Sequence, residues 1–156
     1  MFSPSLFVHN VPMANTSIPF STPSAVVTAR SVPRSASAIA VAVRSTGAVP
    51  RTVGMSRRDL ERQGFAGEVG QSVVIPRRDG ATVIAVGVGE RPSSGDLRDA
   101  AAVAVRNAKR HQDVALDLLS AGSSNSADAR AVTEGALLAA YRCLLYTSDA
   151  ADEWIG

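Results

Sequence analysis

The chain has 156 residues, a length that suits one domain, with 16 basic against 14 acidic side chains and a formal charge of +2. So small an excess demands neither a nucleic-acid nor a membrane partner. Apolar runs such as Ala38 to Val43 stop at six residues, far short of the ~20 that span a bilayer, so no membrane partner is expected.

Met1 to Pro23 is predicted as a disordered leader, because it is rich in Ser and Pro and carries no acidic residue. The same composition fits an organelle transit peptide. Met1 and Met13 both stand as candidate starts. Ala25 to Arg30 (AVVTAR) is a predicted edge strand, rich in β-branched residues and closed by Pro33. Ala36 to Arg44 is a second strand, with Ile39, Val41 and Val43 on one face and alanines on the other. Both faces can therefore be buried against helices.

Met55 to Gln63 is a short predicted helix, with Ser56 as N-cap and Asp59 three residues on. Gly64, Gly67 and Gly70 mark a loop. Gln71 to Arg77 and Ala81 to Val88 form a hairpin around Asp79-Gly80. Ser93 to Arg110 is the clearest helix, capped by Asp96, with Lys109 and Arg110 complementing its C-terminal dipole. Asp113 to Leu119 is the last strand. A polar loop, Gly122 to Asn125, then leads to a final helix from Ser126 with the face Ala129, Val132, Thr133, Ala136, Leu137, Ala140 and Tyr141. The alternation implies an α/β domain with a mixed sheet covered by helices on both faces.

The last segment, 143–156, is of a different kind. Cys143 to Glu153 (CLLYTSDAADE) resembles the in-frame translation of a transposase-type sequencing adapter, so it is expected to be an artefact and the natural sequence to depart after Arg142. The tail holds three acidic residues and no basic one, so the remainder carries +5. The only cysteine, Cys143, lies in the tail, which leaves no disulfide to the rest.

Phe65 to Arg91 (FAGEVGQSVVIPRRDGATVIAVGVGER) carries a glycine turn (Gly67, Gly70, Gln71), an apolar strand, and a second strand ending in Gly87, Gly89 and Glu90. Val132 to Arg142 adds Glu134-Gly135 and Tyr141-Arg142. In these residues, over about Ser24 to Arg142, the chain resembles the N-terminal domain of leucyl (cytosol) aminopeptidases. One departure is the helix after Gly47, which is shorter than usual. The resemblance implies a macro-like α/β fold over 24–142 and a non-catalytic assembly or regulatory role. The full-length relatives remove N-terminal amino acids from peptides with two divalent metals, zinc or manganese. It further implies a cytoplasmic hexamer whose metals and peptide substrate belong to a catalytic domain beyond Arg142. For this chain itself no catalytic, cofactor-binding or metal-ligating residue is expected, and no cofactor.

Other chemistry is weighed against these residues. His9 falls in the leader, and His111 at a helix end suits the dipole better than a metal. Gly87-Val88-Gly89 before a helix is a weak phosphate-turn signal and lacks the third glycine of a dinucleotide fingerprint. Macro domains that bind ADP-ribose carry an Asn-rich loop where this chain has Arg44-Ser45-Thr46-Gly47. A stand-alone ADP-ribose or nucleotide-binding module is the alternative function. A DNA-binding accessory domain is another, through Arg57, Arg58, Arg77, Arg78, Arg106, Lys109 and Arg110. No aromatics interleave these, and a solvated surface is the preferred reading. Asp96 and Asp99 fit capping and surface ion pairs.

Overall fold

The computed structural model describes residues 5–9, 25–29, 32–33, 35–78 and 80–140. Its strands are β1 (Ser5–His9), β2 (Ala25–Ala29), β3 (Ala38–Val43), β4 (Ser72–Ile75), β5 (Thr82–Gly87) and β6 (Asp113–Asp117). They form one six-stranded sheet in the order β2-β1-β6-β3-β5-β4. Of the four inner strands, β6, β3 and β5 are parallel, with Val41 beside Asp117 and Val43 beside Gly87. β4 joins β5 antiparallel, and β1 joins both β6 and β2 antiparallel. The domain is thus α/β with a mixed sheet.

Parallel strands buried on both faces need apolar side chains on both, and β3 supplies them in two sizes. Its small face, Ala38, Ala40 and Ala42, joins Ile84, Val86, Val114 and Leu116. Helices α2 (Ser94–Asn107) and α3 (Ser126–Ala140) cover that face with Leu97, Ala100, Ala101, Ala104, Val132 and Ala136. Alanine on both sides lets the helices lie close. The larger face, Val41 and Val43 with Val83 and Ala85, packs on Val53, Leu60 and Phe65. Leu60 comes from α1 (Arg57–Arg62) and Val53 from a 3₁₀ turn, Arg51–Val53. Each such buried Leu or Val is worth about 1.5–3 kcal/mol.

The sequence-based expectations differ from the structure at four places. Ser5–His9, inside the expected leader, is a strand between β2 and β6. Without it, β6 would leave the backbone groups of its outer edge unpaired. The N-cap of α2 is Ser93 rather than Asp96. Asp96 is the N3 partner of a reciprocal capping box, where its side chain accepts from the Ser93 amide at 2.8 Å. Lys109 and Arg110 lie beyond the C-cap Ala108, so Arg106 is the basic residue of the last turn. The buried face of α3 is Asp128, Ala131, Val132, Gly135 and Ala136, which leaves Leu137 outside it.

Ser56 does cap α1, accepting from the Asp59 amide at 3.2 Å. The rest of the expected leader, Asp79 of the hairpin turn, Tyr141, Arg142 and the tail lie outside the described residues.

Candidate functional site

Side chains and backbone that a ligand can reach gather where the parallel strands end, at their carboxyl edge. The chain runs from β3 to β5 on one side, then crosses back through α2 to β6 on the other. Connections therefore diverge between β3 and β6, and in open α/β sheets such a switch point leaves a crevice.

The β3/β5 half of this edge is closed. The loop 65–71 lies across it, and the motif glycines make that possible. The Gly89 amide donates to the Gly67 carbonyl at 2.9 Å, and the Gly87 amide to the Gln71 carbonyl at 2.9 Å. A Cβ on Gly87 would press into the Glu68 carbonyl oxygen and lie 2.7 Å from the Gly67 carbonyl carbon. The Gln71 side-chain oxygen accepts from the amides of Ala66 at 2.8 Å and Glu68 at 3.2 Å, which folds the turn. Gly67 itself has φ +83°, a left-handed conformation. These residues are a structural lock.

Gly87-Val88-Gly89 is accordingly buried beneath that loop. The N-terminus of α2 is occupied as well. The Asp96 carboxylate accepts from the Ser93 hydroxyl and amide there, and these bonds hold its pKa below the usual 3.8. A phosphate has no place at this turn.

The β3/β6 half is open. A cleft of about 270 Å³ lies there, lined by Ala42, Arg44, Thr46, Gly47, Ala48, Pro50, Ser120 and Ala121. One wall is the loop after β3, and the other is a 3₁₀ turn, Leu119–Ala121, after β6. Arg44 joins the walls, donating from Nη2 to the Ala121 carbonyl at 2.6 Å. Arg57, at the start of α1, braces the first wall. Its guanidinium donates to the carbonyls of Arg44 at 2.9 Å, Ser45 at 3.0 Å and Gly47 at 3.0 Å. Beside the second wall stands Asp117, the last residue of β6. Burial pushes its carboxyl above the usual value, and a hydrogen bond from Ser120 partly opposes that.

Among the described residues, Asp128 is the acidic side chain that is buried. It accepts from the Ser94 hydroxyl at 2.6 Å and the Ser123 amide at 2.8 Å, and its own amide donates to the Asn125 side chain at 2.8 Å. It ties the starts of α2 and α3 together. Its partners satisfy it within the fold, so it is a clamp.

The basic residues singled out from the sequence do not act as one group. Arg57 is spent on loop carbonyls, and Arg77 donates to the Thr52 carbonyl. Arg58 on α1 and Arg78 in the turn after β4 are exposed apart from Arg106, Lys109 and Arg110, which are exposed at the C-terminal end of α2. Asp99 pairs with Arg98 on the surface of α2 at 3.6 Å. His111 lies past the end of α2, its amide donating to the Ala108 carbonyl at 2.8 Å. His9 closes β1, where its backbone is in register with Asp113. Among the described residues no three His, Cys, Asp or Glu side chains are grouped as metal ligands.

Sequence reasoning passed over Ser120 and Asp117, and it weighed Arg44 only as part of a loop unlike that of ADP-ribose binders. The usable signal was a polar residue closing each of two apolar parallel strands. Asp128 gave none, because its bond to Ser94 crosses from α3 to the start of α2, 34 residues away.

Residues 50–150 match the family model described as cytosol aminopeptidase family, N-terminal domain. Among solved structures, the bottromycin maturation enzyme BotP is similar, with a TM-score of 0.57 at 32% identity. The similarity covers 72% of this chain and 25% of that one, so the chain spans about a quarter of that enzyme's length. A comparison with curated protein sequences gives no match.

Proposed function

The chain belongs to the cytosol aminopeptidase family, whose N-terminal domain it carries, and on that premise we propose that it is a non-catalytic assembly or regulatory domain. The observation that carries this reading is the match over 50–150 to the N-terminal domain of the family. The structure adds a physical reason for the motif residues. Gly67, Gln71, Gly87 and Gly89 interlock through backbone and turn-forming hydrogen bonds, which serve the fold rather than a reaction.

The activity of the whole protein is part of the proposal: removal of N-terminal amino acids from peptides, in a domain outside these residues. The described residues offer no ligand set for the two divalent metals, zinc or manganese, that such hydrolysis uses. No step of that chemistry is assigned to them. Assembly into hexamers and a cytoplasmic location belong to the same proposal. Among the described residues no helix is long and apolar enough to cross a membrane.

Some of the residues weighed for the two other readings are taken up by the fold. A nucleotide module built on Gly87–Gly89 meets a buried turn and an occupied helix N-terminus. A DNA-binding face loses Arg57 and Arg77 to backbone carbonyls.

The natural reading frame past the codon for Arg142 tests the proposal. It is expected to replace the adapter-like residues and continue into a domain bearing a carboxylate and lysine metal site. A frame that stops there, or enters an unrelated domain, would overturn it.

A further inference from the structure

The cleft between β3 and β6 lies outside the motif residues that carry that reading, and its chemistry is one-sided. The loop that forms its first wall has its carbonyls and its amides in different situations. The carbonyls of Arg44, Ser45 and Gly47 are engaged by Arg57. The amides of Thr46, Gly47 and Ala48 have no acceptor among the described residues. Gly47 has φ +83°, the left-handed conformation that lets successive amides converge as an anion-binding nest. Arg44 uses Nη2 on the Ala121 carbonyl and has no other partner among the described residues, so Nε and Nη1 remain to donate. No acidic residue lines the cleft. Asp117 stands behind Ser120, whose hydroxyl it accepts.

We propose that this cleft binds the anionic group of a small molecule, a phosphate or a carboxylate, with Arg44 as counter-charge and the Thr46–Ala48 amides as donors. The place follows from topology, since it is the open half of a carboxyl edge whose other half is closed by loop 65–71. The size of the ligand follows from the volume. About 270 Å³ lies just under the ~300–1,000 Å³ of pockets for drug-sized ligands, which suits a mononucleotide or a dipeptide. Charge-assisted bonds to a guanidinium are roughly twice as strong as neutral ones, so Arg44 carries most of the discrimination for anions. Arg57 contributes by positioning. With the carbonyls held away, the loop needs little ordering when the ligand arrives.

The site stands on the fold and the cleft, independently of the aminopeptidase reading, and the two can fail separately. Calorimetric titration of the whole chain with AMP, and separately with leucylglycine, tests it. Saturable one-to-one binding of one probe is expected, weakened about tenfold or more by Arg44→Ala. Amide resonances of Thr46, Gly47 and Ala48 should move during the same titration. Thr46→Trp plugs the cleft from an exposed position while leaving the Arg44 bond in place, and it should abolish binding. Should Arg44→Ala fail to fold, Thr46→Trp alone decides. Binding of AMP only assigns a phosphate, and binding of leucylglycine only assigns a carboxylate. No saturable heat with either probe, or binding that survives Thr46→Trp, overturns the proposal.

Discussion

Replacing Gly135 by alanine should destabilise the domain although alanine is the better helix former. Gly135 is buried on α3 where that helix crosses α2. An added Cβ would press into the Arg98 carbonyl oxygen and lie 2.9 Å from its carbon and 3.1 Å from the Arg98 Cα. Carbon atoms pack best at about 3.5–4.0 Å and the oxygen is nearer than the carbon, so the helices must part by about 1 Å or more. The obstacle is backbone and cannot rotate away. The cost therefore falls near the upper end of overpacking, about 3 kcal/mol. Exchanging Gly for Ala in a helix returns about 1 kcal/mol. The net loss is about 2 kcal/mol. With a urea slope of ~2 kcal/mol/M the midpoint should fall by about 1 M at unchanged slope. Far-UV circular dichroism during urea titration measures this. Leu138→Ala, on a side chain 72% exposed, is the control and should stay within about 0.5 kcal/mol of wild type. A Gly135→Ala chain as stable as wild type, or more so, would refute the close helix crossing.

Three further substitutions probe the rest of the account. Asp128→Ala removes an acceptor from Ser94 and Ser123 inside the domain and should cost about 2–3 kcal/mol in the same titration; a loss under ~0.5 kcal/mol would contradict its clamping role. Arg57→Ala frees three carbonyls of the loop after β3. Hydrogen exchange at Ser45, whose amide donates to the Gly89 carbonyl at 3.2 Å, should quicken while the strands keep their protection, and unchanged exchange would show that the brace is idle. Asp117 has its carboxyl raised by burial. A raised carboxyl contributes its full stability below the unfolded pKa, near 3.8, and loses it as pH rises through the folded value. Asp117→Asn cannot ionise, so it should exceed wild type in stability at pH 7, with the gap closing below about pH 4. Parallel stability curves across that range would refute the burial effect.

What the sequence made legible were the features that local chemistry decides. Ser56 with Asp59 announced α1, and the alternating Val and Ala of β3 announced a strand buried on both faces. Small residues were visible as motifs, but their reasons were not. Gly135 answers to the backbone of Arg98 on another helix, and Gly87 to Gly67 and Glu68 on another loop. Such approaches are set by tertiary contact, to which periodicity is blind. For the same reason the face of α3 was misplaced by counting. Leu137 fits a helical repeat from Val132 and Thr133, yet the contact at Gly135 sets the rotation and leaves it 41% exposed. β1 was hidden because Leu6-Phe7-Val8 sits in Ser- and Pro-rich surroundings and pairs with residues about a hundred positions away. The cleft was hidden for a related reason. Arg44 and Ser120 meet only because β3 and β6 are neighbours in a sheet whose order differs from the sequence.

Hydrolysis of leucine p-nitroanilide by the purified chain, with manganese or zinc supplied, tests the non-catalytic role most directly. The expected result is no turnover above the metal-only background at any metal concentration. Saturable hydrolysis that a chelator abolishes and added metal restores would contradict it.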